Sequence, residues 1–530
     1  MTTTTIKIFL ALMIAAMLPA VPAMADQNSP AVLRQTQGYV VVVIPRVLGK
    51  RQPTVTLQAV PGNGPLFTLV PTAANSEVLA AWVPQGSYEI EEMVRTSKSK
   101  YVPVEVKAGF VTDMGGLTWV SVGDDESRFM PLRHSDLISS FNGAVEPVKE
   151  FLASERLEWR PTAPPVGRAI PNGRKLPAPV LEQLAAHDAA QKRTPLREQL
   201  RQVKSLDEFA KLYVASSTPL LGETSSDKTG ALYVGANFGQ LRKREVSGAW
   251  HSIDTGTISP ITAVEAAADP ILVGTHNGLL LASGDNAQTW KRLHNFGTHE
   301  TVLGIHFTGA QYLILTAKLV NPAAWERASL QSLQIYALDL PALSAPTLIR
   351  KIDLPKNYAQ QRTSAYHATL AGKYYLVNTF EGIERFDLAA RTWKTISPGH
   401  EVSNLRSANS GALITAFKAQ GGFSKLHIST DSGDTWTTME RPSYPVLDIR
   451  MESKDVGFAT RIDMGAFSSA LQWTQYDAAS KSWKEVFTAP KVTCERTLRD
   501  ANGRDQFCVT VRGTIFRVGT GGMVPEYVAD

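Results

Sequence analysis

LYVGANFGQL, at residues 232–241, consists of an apolar strand, a tight turn with glycine and the start of a second strand. The same pattern recurs as ILVGTHNGLL at 271–280 and YLVNTFEGIE at 375–384, and more loosely as FCVTVRGTI at 507–515. The turn glycines are Gly239, Gly278, Gly382 and Gly513. Their separations of 39, 104 and 131 residues are close to one, two and three units of roughly 44 residues. The second half of the chain is therefore an internal repeat built of strands.

The repeat length predicts the fold class. Four-stranded blades of about 40–50 residues are typical of β-propellers. The span from residue 218 to residue 528 leaves roughly 44 residues for each of seven blades, whereas eight blades would be too short and six would leave a remainder. We therefore predict an all-β protein whose residues 218–530 form a seven-bladed β-propeller.

A second motif repeats at an offset from the first. Residues 429–436, STDSGDTW, fit the pattern S-x-D-x-G-x-T-W in full, and residues 283–290, SGDNAQTW, fit it except that Ala287 replaces glycine. The matching positions are Ser429, Asp431, Gly433 and Trp436 in one copy and Ser283, Asp285 and Trp290 in the other. Degenerate versions with one more residue between Asp and Trp lie at 386–393 and 476–483 and resemble kelch-type turns.

These motifs resemble the Asp-box, or BNR repeat, of sialidases, sortilin-type receptors, some polysaccharide hydrolases and photosystem assembly factors. The resemblance implies that each box is the turn between the third and fourth strands of a blade. Its Asp would accept hydrogen bonds from turn amides, its Gly would allow a positive φ, and its Trp would pack beneath the turn. The role that the resemblance implies for these residues is structural.

The first 25 residues have the features of a secretory signal peptide. Lys7 precedes an apolar run at 8–18, and Ala23-Met24-Ala25 fits a small-x-small cleavage site. A membrane anchor is the alternative, but the run falls short of the roughly 20 residues that span a bilayer. We expect export to the periplasm of a Gram-negative cell, or secretion, with no transmembrane segment after the signal is removed.

Two more segments precede the predicted propeller. Residues 26–125 alternate between apolar and polar residues, and VPQGSYEI at 83–90 resembles the β-sandwich domains of the carboxypeptidase-regulatory type. That resemblance implies a structural or adhesive module. Residues 126–217 combine helical periodicity, as at 135–152, with six prolines between 161 and 180. We predict a helical and proline-rich connector there.

The two cysteines, Cys494 and Cys508, flank the turn sequence DANGR at 500–504. A short loop would bring the two strands, and with them the cysteines, face to face. In an oxidising compartment a disulfide closing this loop would stabilise the fold by about 3 kcal/mol in the chain-entropy model. Two buried thiols are the alternative.

Composition and motifs argue against several classes of function. Lys and Arg number 54 against 49 Asp and Glu, and charged residues make up only 19% of the chain, which argues against a dedicated nucleic-acid binder. The sequence contains no G-x-S-x-G, H-E-x-x-H, G-x-x-x-x-G-K-[ST] or C-x-x-C pattern, and its ten histidines are scattered. We expect neither catalytic residues nor a metal or cofactor site.

The favoured function is a non-enzymatic propeller that binds a protein or an envelope polymer. The alternative is a carbohydrate-active enzyme, sialidase-like or another glycoside hydrolase, whose carboxylates are brought together by ring closure. Sialidases carry an Arg-Ile-Pro motif in the opening blade, and residues 218–260 contain none. A third hypothesis is a polymer-binding protein tethered to the envelope, whose proline-rich connector extends the reach of the propeller.

Overall fold

The structure, a computed structural model, describes most of two regions of the chain. In the first region it describes residues 29–46, 54–60, 64–72, 76–91, 104–121, 127–131 and 158–161. In the second it describes residues 219–297, 299–320, 329–340, 343–355, 366–402, 404–408, 411–417, 425–443, 445–464, 469–490, 494–499, 506–510, 514–519 and 522–527. No helix within these ranges is long and apolar enough to cross a membrane. The predicted signal peptide and most of the predicted connector lie outside them.

A nine-stranded sheet forms the first region. It follows a short helix, α1 (Pro30–Leu33), and its strands are β1 (Gln37–Val43), β2 (Val55–Ala59), β3 (Leu66–Pro71), β4 (Val78–Pro84), β5 (Gly86–Ile90), β6 (Val104–Val106), β7 (Phe110–Ser121), β8 (Ser127–Pro131) and β9 (Glu158–Pro161). The strand order is β6-β5-β2-β3-β4-β1-β7-β8, with β9 paired to β7. Strand β1 is antiparallel to β4 and parallel to β7.

The central strand β1 is buried on both faces, since Val40, Val41, Val42 and Val43 are all fully buried. Val40, Val42 and Ile44 belong to one buried cluster, together with Leu79 and Val83 of β4. Strands β8 and β9 come from the segment predicted as a connector, and both pair with β7. The helices predicted in that segment lie outside the described residues. A β-sandwich domain over residues 26–125 stays a prediction.

Seven four-stranded antiparallel sheets follow one another and confirm the seven-bladed propeller. Each blade is a meander of four strands that are consecutive in the sequence. Blades 1 to 4 consist of β10 (Pro219–Ser226), β11 (Leu232–Ala236), β12 (Gln240–Arg244) and β13 (Trp250–Asp254); β14 (Ile261–Glu265), β15 (Ile271–Thr275), β16 (Leu279–Ser283) and β17 (Lys291–Asn295); β18 (Glu300–Phe307), β19 (Gln311–Val320), β20 (Ser329–Asp339) and β21 (Thr347–Asp353); and β22 (Ala368–Ala371), β23 (Tyr374–Asn378), β24 (Ile383–Asp387) and β25 (Thr392–Ile396). Blades 5 to 7 consist of β26 (Asn404–Ser407), β27 (Ile414–Phe417), β28 (Leu426–Ser429) and β29 (Thr437–Met439); β30 (Val446–Met451), β31 (Gly457–Met464), β32 (Ser469–Asp477) and β33 (Ser482–Pro490); and β34 (Cys494–Arg499), β35 (Gln506–Thr510), β36 (Ile515–Gly519) and β37 (Gly522–Tyr527).

The meander sorts the loops onto two faces of the ring. Successive strands of a blade run in opposite directions. The turns between first and second strands and between third and fourth strands therefore lie on one face, which we call the lower face. The turns between second and third strands and the connections between blades lie on the opposite, upper face.

Two glycines in second strands allow neighbouring blades to approach closely. A Cβ on Gly235 of β11 would lie 2.2 Å from the carbonyl oxygen of Ile261, and one on Gly274 of β15 would lie 2.3 Å from Cγ1 of Val302. Ile261 and Val302 belong to the first strands of the next blades. The glycine at the fourth position of these two repeats therefore serves the packing between blades.

The turn glycines of the repeat do not all have the same conformation. Gly239 and Gly278 have positive φ angles of 66° and 82°. In the third copy Phe380 takes the positive φ, at 74°, and Gly382 does not. Gly513 lies outside the described residues.

Blade 7 packs against blade 1 and closes the ring. The first strands β34 and β10 contact each other. Farther out, the Arg244 guanidinium donates two hydrogen bonds to the Glu526 carboxylate, from Nε at 2.8 Å and from Nη2 at 3.1 Å. Trp250 Nε1 donates to the same carboxylate at 3.3 Å, and the Trp250 ring contacts Phe507 and Tyr527. In the described strands this junction contains side-chain contacts and no exchanged strand.

The two cysteines belong to neighbouring strands of blade 7. In the pairing of β34 with β35, Cys494 lies opposite Thr510 and Cys508 lies opposite Thr497. Cys508 is fully buried. The disulfide between Cys494 and Cys508 stays a prediction, and the mass of the alkylated protein with and without prior reduction checks it: two alkyl groups gained only after reduction support the bond.

We predict that Glu526→Gln weakens the closure of the ring. Partial burial opposes ionisation of Glu526, but hydrogen bonds from Arg244 and Trp250 hold its pKa below its usual value. The ionised form therefore stabilises the fold at neutral pH, and this stabilisation is lost as the pH falls through the lowered pKa. The variant should lose about 2 kcal/mol of unfolding free energy at neutral pH. It should differ less from the wild type below about pH 4.

Glu245→Gln is the matched control for this measurement. Glu245 pairs with Lys243 in the same blade at 3.1 Å, but its side chain is 37% exposed, against 13% for Glu526. An exposed ion pair contributes little, so the control should change the unfolding free energy by at most about 0.5 kcal/mol. Urea unfolding at neutral and acidic pH measures both variants, and equal losses would contradict a special role for Glu526.

Candidate binding surfaces

The two segments that resemble Asp-boxes, 283–290 and 429–436, are turns between a third and a fourth strand, on the lower face of blades 2 and 5. In blade 5, Gly433 N donates to Ser429 Oγ at 2.7 Å, and Ser429 Oγ donates to Asp431 Oδ1 at 2.7 Å. Asp431 also accepts hydrogen bonds from Oγ1 and N of Thr435. The Thr435 hydroxyl and amide lower the pKa of Asp431 to about 2, so its carboxylate stays ionised as an acceptor for the turn.

The box of blade 2 has the same hydrogen bonds without its glycine. Ala287 stands where Gly433 stands in blade 5 and also has a positive φ, 67° against 92°. Its N donates to Ser283 Oγ at 2.9 Å, and Thr289 N donates to Asp285 Oδ1 at 2.9 Å. The Ser-Asp-Thr hydrogen bonds therefore form in both boxes, in blade 2 around an alanine held in a left-handed conformation.

The tryptophans of the two boxes pack against the preceding blade. Trp290 joins a cluster that contains Tyr233 of blade 1. Trp436 joins a cluster that contains Leu376 and Ile383 of blade 4. The boxes therefore contribute apolar contacts to the junctions between blades.

The box of blade 5 also places an acid in the junction between blades 4 and 5. Arg385 donates from Nη2 to Asp434 Oδ1 at 2.9 Å and from Nη1 to the carbonyl oxygen of Ser432 at 2.9 Å. Lys394 Nζ lies 3.2 Å from the same oxygen of Asp434. Arg385 is buried, whereas Lys394 is exposed. Asp434, although exposed, therefore pairs with both cations and offsets one of their two charges.

The next junction, between blades 5 and 6, contains an open groove of about 750 Å³. Its lining includes all of β29 together with Ile428 of β28 and Tyr476 of β32. Four cationic side chains and two carboxylates also line it: Lys425, Arg441, Lys454, Lys481, Glu440 and Asp455. The groove is therefore polar and carries an excess of positive charge.

One difference in the turn sequence helps to explain why this junction stays open. Asp434 is the second residue before Trp436, and the second residue before Trp483 in blade 6 is Lys481. The position that supplies an acid to the junction of blades 4 and 5 thus supplies a cation to the junction of blades 5 and 6. The substitution of Lys481 for an acid can be seen in the sequence of the degenerate box at 476–483. The sequence alone does not show which residues surround Lys481.

The strands against which the turn packs also differ between the two junctions. Lys394 follows Trp393 and pairs with Arg385 on the neighbouring strand. The residue after the box tryptophan in blade 5 is Thr437, and it pairs with Ile428. Two long cationic side chains are therefore replaced by two shorter ones, which leaves space between blades 5 and 6.

A buried polar cluster joins the N-terminal sheet to the upper face of the propeller. Glu77, directly before β4, is fully buried, and its Oε2 accepts a hydrogen bond from Nδ2 of Asn277 at 3.2 Å. Asn277 and His276 belong to the turn between β15 and β16. The Arg46 guanidinium and the Ser259 hydroxyl lie close enough to Glu77 to favour its ionised form. Sequence reasoning missed this contact because it joins residues 200 positions apart.

Burial controls ionisation in this cluster. It raises the pKa of Glu77 to about 7, an effect that the neighbouring Arg46 charge opposes. Burial also lowers the pKa of His276 to about 3, and here the Arg46 charge acts in the same direction. Glu77 therefore changes its charge near neutral pH, whereas His276 stays neutral there.

The described side chains offer little catalytic or metal-binding chemistry. Within the described ranges no group of three or more His, Cys, Asp or Glu side chains could hold a metal ion. His400, in the connection between blades 4 and 5, and His427 of blade 5 have ring centroids 4.1 Å apart. Burial, and then the neighbouring His400, lower the pKa of His427 to about 4. The expected absence of metal, cofactor and catalytic residues stays a prediction.

No protein-family model matches the chain, and no curated protein matches it. Among solved structures, YCF48 from Cyanidioschyzon merolae is 11% identical with a TM-score of 0.40, and the match covers 57% of this chain and 97% of that one. A structure described as YCF48 bound to D1 peptide is 14% identical with a TM-score of 0.41, covering 60% and 95%. The tricorn protease is 11% identical with a TM-score of 0.40, and this chain matches only 35% of its length. These low values carry no argument about function.

Exchanging glycine and alanine between the two boxes is expected to shift stability in opposite directions. Ala287→Gly relieves a left-handed alanine and should raise the free energy of unfolding by up to about 1 kcal/mol. Gly433→Ala should lower it by about 2 kcal/mol, because a Cβ there would lie 2.3 Å from Cδ1 of Ile396. Urea unfolding measures both changes, and a Gly433→Ala variant as stable as the wild type would contradict this account.

Glu77 and His276 are expected to give opposite pH dependences. Because the folded pKa of Glu77 is raised, its contribution to stability is present below about pH 4.5 and is lost as the pH rises towards 7. Because the folded pKa of His276 is lowered, its contribution is present above about pH 6.5 and is lost as the pH falls towards 3. Between about pH 4.5 and 6.5 the two effects oppose each other.

Single variants separate the two effects. The stability of the wild type relative to Glu77→Gln should fall as the pH rises from about 4.5 to 7, by up to about 1.4 kcal/mol per pH unit. The stability of the wild type relative to His276→Asn should instead rise between about pH 3 and 6.5. Urea unfolding across this range measures both differences, and the background titration of other groups cancels. Differences that do not depend on pH would contradict the two shifts.

Proposed function

We propose that the chain is a non-enzymatic β-propeller that binds a partner protein at the groove between blades 5 and 6 and acts as an assembly scaffold in the cell envelope. The observation that carries the proposal is the groove itself, with its volume of about 750 Å³, its lining by an outer strand and its charged side chains from two blades. A polar groove along the edge of a strand fits a segment of polypeptide better than a small molecule, which binds in apolar pockets with few polar groups.

The two regions of the chain fit a scaffold because their contact lies away from the groove. The N-terminal sheet contacts the upper face at blade 2 through Glu77 and Asn277. Lys454 and Lys481 of the groove belong to lower-face turns of blade 6. The groove therefore stays accessible while the sheet is in place. The proposed domains are those predicted from the sequence, 26–125, 126–217 and 218–530, except that β8 and β9 extend the N-terminal sheet into the predicted connector.

The location in the periplasm belongs to the same proposal. It rests on the signal-like residues 1–25 and on the expected disulfide between Cys494 and Cys508. The expected result of cell fractionation is a mature chain in the periplasmic or secreted fraction that begins near Asp26. A chain that keeps its first 25 residues in the cytoplasm would contradict export, without affecting the binding function.

Site-specific photo-crosslinking in cells tests the binding function. A photo-reactive amino acid replaces Thr438, which is exposed in β29 and lines the groove. The matched control replaces Val246, which is 67% exposed in a lower-face turn of blade 1. We expect a discrete protein adduct from position 438 and none from position 246. No adduct at position 438, the same adducts at both positions, or a polysaccharide adduct would overturn the proposal.

A further inference from the structure

We propose that the groove between blades 5 and 6 binds an extended acidic segment of the partner protein, which adds to the outer edge of β29 as a fifth strand of blade 5. This inference rests on the proposed binding function and specifies the chemistry of the partner at the same site.

The strand edge is the first observation. Strand β29 is the last in its sheet, so it pairs with β28 on one side only. All three of its residues line the groove. Successive side chains of a strand point to opposite faces, so a lining by three consecutive residues means that the groove runs along the edge of the sheet. An edge presents backbone N–H and C=O groups that a peptide strand can pair with.

The charge of the groove is the second observation. Lys425, Lys454 and Lys481 are exposed, and none of them forms an ion pair with another described residue. Glu440 and Asp455 are the two carboxylates in the lining, against four cations. A segment with acidic side chains is therefore attracted to the groove, and a basic segment is repelled.

At the junction between blades 4 and 5 the chain itself supplies an acid next to cationic side chains. There Asp434 pairs with both Arg385 and Lys394 and offsets part of their charge. At the next junction the corresponding residue is Lys481, which adds positive charge. The chain therefore supplies no acid at this position of the second junction, and an acidic partner segment can pair with the lysines there.

Strand addition also dictates a pattern in the partner. In an added strand only alternate N–H groups face β29, and alternate side chains lie on the same face of the sheet. The segment should therefore carry acidic residues at every second position. Blocking one alternating set of its N–H groups should abolish binding, whereas blocking the other set should be tolerated.

Selection of displayed random nonapeptides on the immobilised full chain tests this inference. We expect enriched peptides with acidic residues at alternate positions. The best of them is synthesised with a fluorescent label, and fluorescence anisotropy measures its affinity for the chain. N-methylation of alternate residues in this peptide should give a two-residue periodicity of lost binding.

The variant Lys454→Glu/Lys481→Glu should weaken binding of this peptide at least roughly tenfold, because two attractions become repulsions. The matched control, Lys228→Glu/Lys291→Glu, makes the same change in net charge at two exposed lysines outside the groove. It should leave the affinity for the peptide within about twofold. The comparison separates a local effect of the groove lysines from a long-range effect of net charge. Circular dichroism verifies that both variants fold.

Several outcomes would overturn the inference: no enriched peptide, enriched peptides without acidic residues, equal binding to both double variants, or N-methylation effects without alternation. Polygalacturonate, an anionic polymer, is titrated in parallel; if it binds through the same lysines and no acidic peptide does, strand addition is wrong. If any of these results occurs together with a protein adduct at position 438, the proposed binding function still holds and only the addition of a fifth strand is refuted. The absence of that adduct would remove the binding function itself.

Discussion

The last contact around the ring, between blade 7 and blade 1, is the constraint on which the propeller depends. Each blade is a meander of consecutive strands, so no shared strand joins the two ends. Closure depends instead on the Glu526 carboxylate, which accepts hydrogen bonds from Arg244, Trp250 and Arg517. The rings of Trp250 and Tyr527, tilted at 53° with their centroids 5.8 Å apart, pack at the same place. A charged group and aromatic side chains thus do what a shared strand would do.

The other junctions use two recurring kinds of contact. Near the axis, hydrogen bonds from side chains connect the first strands: Glu265 accepts from Ser225 of blade 1 and from the Phe307 amide of blade 3, and Thr369 pairs with Ser407. Farther out, the turns before the fourth strands pack against the preceding blade. The groove lies where this outer contact is incomplete, so the same architecture that holds the ring together also determines where a partner can enter.

The repeat and the Asp-box pattern were sufficient to predict seven blades, because their information is local and recurs. The groove could not be predicted in the same way. Lys481 is visible as a departure from the box, but the space beside Ile428 and Thr437 arises only when residues about 50 positions apart are packed together. The contact of Glu77 with Asn277 joins two regions with different patterns, and neither pattern points to the other. Local turn chemistry was therefore readable from the sequence, whereas contacts between blades and regions were not.

The meeting of the two propeller ends at one junction has a mechanical consequence. Tension applied to the C-terminal end of the propeller acts first on β37, where Glu526 joins blade 7 to blade 1. Blade 7 can then detach as one antiparallel unit without unthreading any other blade. Under such a load the ring is therefore expected to open at the Glu526 contact, where its two ends meet.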